Sequence, residues 1–136
     1  LMPAVLTEFG FFPAIKEYLS KQEKFYHIRT TYRYSDQLTH FSFREGMDVN
    51  LYRLIQELIH NTIKHGRAQS ISLVLLKEND NLQLRYEDDG SGMPDTSPMP
   101  RVLHYRGELM GATVKRPGSS SGLIYEFTIP LKRIFQ

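Results

Sequence analysis

With 136 residues, 40% hydrophobic and 24% charged, the chain holds apolar material for one globular core and no more. Its formal charge of +2, from 17 basic and 15 acidic side chains with no block of like charge, does not indicate a large electrostatic footprint for DNA or RNA. Zero cysteine removes disulfides, thiolate zinc sites and thiol nucleophiles, and no apolar run approaches the roughly 20 residues of a membrane helix.

Residues 1–12 are apolar and broken by Pro3 and Gly10, the pattern of a packed linker. Leu1 and Met2 already stand inside that pattern, so the chain reads as one domain of a longer protein. Pro13 suits a first helical position, where its missing N–H costs nothing, and Ala14, Ile15, Tyr18 and Leu19 recur at helical spacing, predicting a short helix over 13–22. Residues 25–34 alternate aromatic, β-branched and polar side chains and predict a strand, and 35–45 reads as a loop.

The next helix is the clearest element. Asp48 or Asn50 is placed to cap it, Leu51, Leu54, Ile55, Leu58, Ile59 and Thr62 form a buried stripe, and His65-Gly66 is expected to close it through a left-handed glycine. Residues 70–77 and 82–87 read as strands joined by the polar turn 78–81. Three prolines make 94–100 irregular, 101–110 reads as helical up to Gly111, and 112–115 with 125–131 form a closing strand pair.

Two segments carry chemistry. Along the helix, Glu57, Asn61 and Lys64 are spaced by four and seven residues and fall in one sector away from the leucine stripe, flanked by His60 and His65. Taken alone, this is the solvated face of an amphipathic helix, and the histidines read as packing or hydrogen-bonding residues. Read functionally, the Asn61 amide is a neutral hard ligand for Mg²⁺, Glu57 can hold a metal-bound water or accept a proton, and Lys64 can neutralise phosphate charge. The second segment, Asp88-Asp89-Gly90-Ser91-Gly92, follows a strand, and its glycines permit close approach of the backbone to a flat ligand. A carboxylate there accepts a hydrogen bond from an adenine 6-amino group and repels the carbonyl of guanine. An Asp-x-Gly-x-Gly turn alone is an ordinary surface turn. Preceded 27 residues earlier by Asn61, with a helix end and a hairpin between, it points to an ATP site.

These two segments resemble the N-box, 56–65, and the first glycine box, 87–93, of the ATP-binding catalytic domain of bacterial two-component sensor histidine kinases, nearest to the NarX/DesK-like branch. Residues 107–122 and 129–131 are similar to that domain's closing helix and strands, so the likeness spans nearly the whole chain. The resemblance implies an α+β fold: a two-layer α/β sandwich of the Bergerat ATPase type, with a mixed sheet and helices on one face. It implies that 1–24 is a linker segment and short helix after a dimerisation domain, and that 25–136 is the ATP-binding domain. By resemblance Asn61 binds Mg²⁺, Glu57 assists phosphoryl transfer, Lys64 contacts phosphate and Asp88 reads adenine. Gly90 and Gly92 shape the pocket, and His65 and Met93, the last residues of the two boxes, complete the nucleotide-binding set. The implied cofactors are ATP and Mg²⁺. The implied partners are the parent protein's own dimerisation and phosphoacceptor domain and, indirectly, a response regulator, with no nucleic acid and no membrane contact by this domain. A cytoplasmic location follows, whether or not the parent protein is membrane-anchored.

Two positions depart from the family pattern. Where the family carries a second glycine box, Gly-x-Gly-Leu, whose N–H groups cradle phosphate, this chain has Ser97-Pro98-Met99-Pro100, and the lid between the boxes is short. The family's late Gly-Thr is Gly122-Leu123, without the hydroxyl that helps hold the adenine-reading aspartate; Ser120 and Ser121 are candidate substitutes. An alternative reading is therefore a degenerate module that keeps the fold for regulation or partner docking. Nucleic-acid binding through Tyr32, Tyr34, Phe41 and Phe43 is the third reading, weighed against the ordinary role of alternating strand aromatics as core.

Overall fold

A computed structural model describes residues 2–92, 97–117 and 122–136. In chain order it contains α1 (Ala4–Phe9), α2 (Phe11–Tyr26), β1 (Arg29–Tyr34), α3 (Met47–Asn61), β2 (Ser70–Glu78), β3 (Asn81–Asp88), α4 (Arg101–Leu109), β4 (Thr113–Lys115), β5 (Leu123–Pro130) and α5 (Leu131–Ile134). The strands form one sheet in the order β1-β2-β3-β5-β4, with β1 parallel to β2 and the remaining pairs antiparallel. This is the mixed sheet of the expected two-layer α+β sandwich.

Strand alternation builds the core. Ile71, Leu73 and Leu75 of β2, Leu82, Leu84 and Tyr86 of β3, and Tyr125, Phe127 and Ile129 of β5 all bury one face. That face meets the leucine and isoleucine stripe of α3, whose Leu51, Leu54, Ile55 and Ile59 are fully buried, as the periodicity predicts. The opposite face is polar: Arg85 pairs with Glu126 at 2.8 Å and approaches Glu87.

The N-terminal expectations change. The apolar stretch before Pro13 is helical rather than irregular: α1 and the start of a 16-residue α2 lie in it, and Leu6, Phe11, Phe12, Ala14, Ile15 and Leu19 enter the same core as the sheet. Gly10, at φ 82°, separates the two helices, and Pro13 is the third residue of α2, where an intrahelical N–H bond is still not required. Phe25 and Tyr26 extend α2 rather than β1, because His27 takes the left-handed turn that ends the helix. Between β1 and α3, Asp36–His40 forms a 3-10 turn, and the neighbouring Phe41 and Phe43 rings pack on Phe135. Tyr32 and Tyr34 contact each other, and Tyr34 also packs on Phe12, while Tyr34 and Phe41 stay partly exposed.

Neither candidate cap of α3 serves as one. Its first residue is Met47 after Gly46, and no side chain caps the end; Asp48 accepts from the Val49 N–H at 2.8 Å within the first turn. Asn50 is buried and has a different task. Its Nδ2 donates to the Arg106 carbonyl at 3.0 Å, and its Oδ1 accepts from Arg106 Nη1 at 2.9 Å. This pair ties the start of α3 to the end of α4. Asn50→Ala leaves a buried carbonyl and a guanidinium short of partners, and is expected to cost about 1–3 kcal/mol, read as a lower urea midpoint at unchanged slope.

Candidate functional site

α3 ends at Asn61 and continues as a π turn over Thr62–Gly66, and the left-handed closing residue is Arg67 (φ 52°), not Gly66. A π turn carries one more residue per hydrogen-bonded ring than an α turn, so side chains after Asn61 are rotated from their α-helical bearing. Lys64 is exposed, and His65 shares a cavity lining with Asn61.

Asn61 and His65 line a cavity of about 380 Å³ together with Asp88, Gly92 and Pro100. The carboxylate from the end of β3 and the amide from the end of α3 thus open onto one space. Leu58, Leu123 and Tyr125 supply its apolar walls. Glu57, half-buried, opens instead onto an adjoining groove between α2, α3 and α4, with Arg53, His60 and Arg106. Met93, like Ser120 and Ser121, lies outside the described residues.

Asp88 is only 3% exposed, and its carboxylate is held from both ends. Oδ1 accepts the N–H of Gly90 at 3.0 Å and of Leu123 at 3.2 Å, and Oδ2 accepts the Thr62 hydroxyl at 2.6 Å. The hydroxyl that the sequence lacks at position 123 is therefore supplied from the helix side, by Thr62. Thr62 in turn is hydrogen-bonded to the Tyr86 hydroxyl. Burial pushes the Tyr86 phenol pKa well up, with the Thr62 bond opposing and the Asp88 charge adding to the rise.

The neighbouring Asp89 does different work: its Oδ1 takes the N–H groups of Gln69 and Ser70 at 2.7 and 2.9 Å, fixing the entry to β2. Those backbone donors, Ser70 first, hold its pKa below the ordinary carboxylate value. Gly92, at φ +74°, passes so close to the Gly122 carbonyl that a Cβ would sit 2.9 Å from that oxygen.

Three features fit this space to a purine nucleotide. Among the described residues, three donors meet the Asp88 carboxylate, which lines the cavity and, as a carboxylate, has acceptor capacity beyond them. Tyr125 lines the cavity, and its buried hydroxyl lies near the Arg116 guanidinium: burial raises its pKa, while the charge of Arg116 and its approach as a hydrogen-bond donor lower it. Asn61 offers one neutral oxygen, the kind of ligand Mg²⁺ accepts while keeping water and phosphate oxygens.

Sequence reasoning missed Thr62, Tyr86 and Tyr125 as site residues. The available signal was chemical: one hydroxyl in a stripe otherwise of leucine and isoleucine, and two tyrosines on the buried face of paired strands, Tyr86 opposite Tyr125, whose hydroxyls need partners.

Residues 46–126 match the family of histidine kinase-, DNA gyrase B- and HSP90-like ATPases, and the chain belongs to that family. Among curated proteins it is similar to the sensor histidine kinase ComP of Bacillus subtilis (strain 168), 34% identical over 95 residues, which are 68% of this chain and 12% of that protein. The chain thus spans about an eighth of that relative. Among solved structures, the blue-light activated histidine kinase EL346 of Erythrobacter litoralis superposes with a TM-score of 0.74 at 18% identity, covering 90% of this chain and 42% of that one. The ATP binding domain of PrrB from Mycobacterium tuberculosis superposes with a TM-score of 0.66 at 16% identity, covering 84% and 88%. These structural likenesses establish the fold.

Proposed function

We propose that the chain is the ATP-binding catalytic domain of a sensor histidine kinase and that MgATP occupies the cavity between α3, β3 and the start of α4. The observation that carries this reading is the convergence of Asp88 and Asn61 on that one cavity. The chain's likeness to a sensor histidine kinase and to the ATP binding domain of PrrB supports this reading.

In this reading Asp88 accepts the adenine 6-amino group, while Leu58 and Leu123 pack on the base. Asn61 holds Mg²⁺, which when bound neutralises charge on the phosphate oxygens. The start of α4 lies at the cavity through Pro100, and the N–H groups of residues 101–103 are not used within the helix. They and the Arg101 side chain meet the phosphates in place of the missing glycine cradle. His65 lies nearer the ligand than Lys64. Glu57, in the adjoining groove, accepts the proton of an incoming nucleophile there, with Arg53 and Arg106 offering positive charge beside it. The nucleophile is a histidine on the parent protein's dimerisation domain, which passes the phosphoryl group to a response regulator.

A ligand that binds only the native state raises its melting point. MgADP at a hundredfold excess over its Kd is expected to add about 2.7 kcal/mol of stability, read as a shift of several degrees. No shift with millimolar MgADP sinks the nucleotide reading. If the chain binds MgADP but forms no phosphohistidine on a supplied dimerisation domain when given MgATP as phosphoryl donor, binding stands and the kinase assignment is removed.

A further inference from the structure

The buried hydroxyls beside Asp88 form a chain whose direction is fixed. A carboxylate only accepts, so the Thr62 hydroxyl must spend its single proton on Asp88 Oδ2, at 2.6 Å. The Tyr86 hydroxyl, hydrogen-bonded to the same Thr62 oxygen, must then be the donor in that bond. Proton donation runs from Tyr86 to Thr62 to Asp88. All three residues are at most 3% exposed, so water does not compete for these bonds. The consequence falls on Asp88. With Oδ1 carrying the Gly90 and Leu123 N–H groups and Oδ2 carrying Thr62, both carboxylate oxygens are tied down on a residue that lines the cavity.

Resting on the nucleotide reading above, we propose that Thr62 and Tyr86 are positioning residues for base selection. They act through Asp88 to present a single fixed acceptor, which selects purines carrying an amino group at the six position over six-oxo purines. Thr62 itself has no proton to offer the base, so discrimination rests wholly on that acceptor. A six-oxo group placed there would set oxygen against carboxylate oxygen with no hydrogen between them, whereas an amino group completes the network.

Titration calorimetry of the 136-residue chain with MgADP and MgIDP separates this from a merely structural role. Thr62→Val is expected to weaken MgADP about ten- to a hundredfold, the worth of a hydrogen bond to a charged group, with MgIDP unchanged, so that the ADP-to-IDP ratio collapses. Thr62→Ser keeps the hydroxyl and is expected to bind MgADP within about threefold of the unaltered chain. Since Thr62→Val alone strands the Tyr86 hydroxyl and can unfold the domain, Thr62→Val with Tyr86→Phe removes both polar groups together and keeps the packing. This double variant is expected to melt within a few degrees of the original and still lose the ADP-to-IDP ratio. A folded double variant that retains both MgADP affinity and the ratio overturns the relay while leaving the nucleotide reading standing. Parallel losses for ADP and IDP also overturn it, since general damage to the pocket weakens both. No binding of MgADP by the unaltered chain overturns the relay and the nucleotide reading together.

Discussion

Asp88→Asn is expected to exchange the base preference of the site rather than unfold it. The Gly90 and Leu123 N–H groups both point at Oδ1, so the amide oxygen must take that position, and Nδ2 must replace Oδ2. Thr62 then accepts from Nδ2 and turns its proton toward Tyr86, whose own buried proton loses its acceptor, so the fold is expected to survive at a cost of about 1–3 kcal/mol. The remaining Nδ2 hydrogen projects into the cavity, where it faces the adenine amino group donor against donor. Loss of a charge-assisted acceptor plus a buried clash of donors should cost MgADP at least about a hundredfold in affinity. MgIDP, whose six-oxo group accepts from that hydrogen, should become the better ligand. Calorimetry with both nucleotides decides the matter. Retention of MgADP affinity within threefold would mean that Asp88 does not read the base.

The parts of this fold legible in the sequence are those set by periodicity. The stripe from Leu51 to Ile59 and the alternation through β2 and β3 needed only side-chain spacing, and they place Asp88 and Asn61 at adjoining element ends. The N-terminal helices were obscured by breakers. Gly10 and Pro13 ordinarily interrupt a helix, yet here one separates two helices and the other sits in a first turn that needs no N–H. The bearing of Lys64 could not be read from a helical wheel, which assumes the α repeat; the π turn after Asn61 breaks that repeat with no Pro or Gly before Gly66 to announce the change. Asn50 read as a cap because asparagine favours helix starts; its burial against Arg106 depends on where α4 returns, which no local window contains. Thr62 is the instructive case. Its stripe position made it core, and it is buried, but the same burial obliges its hydroxyl to find a partner, and that obligation ties it to the site.

Gly122→Ala should be the most damaging single methyl addition in the described chain. Gly122 precedes β5, which runs antiparallel to β3 with Leu123 opposite Asp88, and its φ is +100°. A Cβ built there would meet the Asp88 carbonyl oxygen at 1.9 Å, its carbon at 2.8 Å and the Asp89 Cα at 3.0 Å. All three are backbone atoms at the end of β3 or just beyond it, so no rotamer can relieve the overlap; β5 must lift from β3. That movement also withdraws the Leu123 N–H from Asp88, so stability and the base-reading carboxylate suffer together. Strained backbone, steric overlap and a lost buried hydrogen bond sum to about 3–5 kcal/mol, or a fall in melting temperature on the order of 10–20 °C. Gly10→Ala provides the internal comparison: φ is 82° and ψ 175° there, but nothing lies within 4 Å of the added carbon, so only the backbone term of about 1–3 kcal/mol applies. Equal melting points for the two variants would show that β5 does not pass so closely over Asp88, and would undo the geometry on which the locked carboxylate depends.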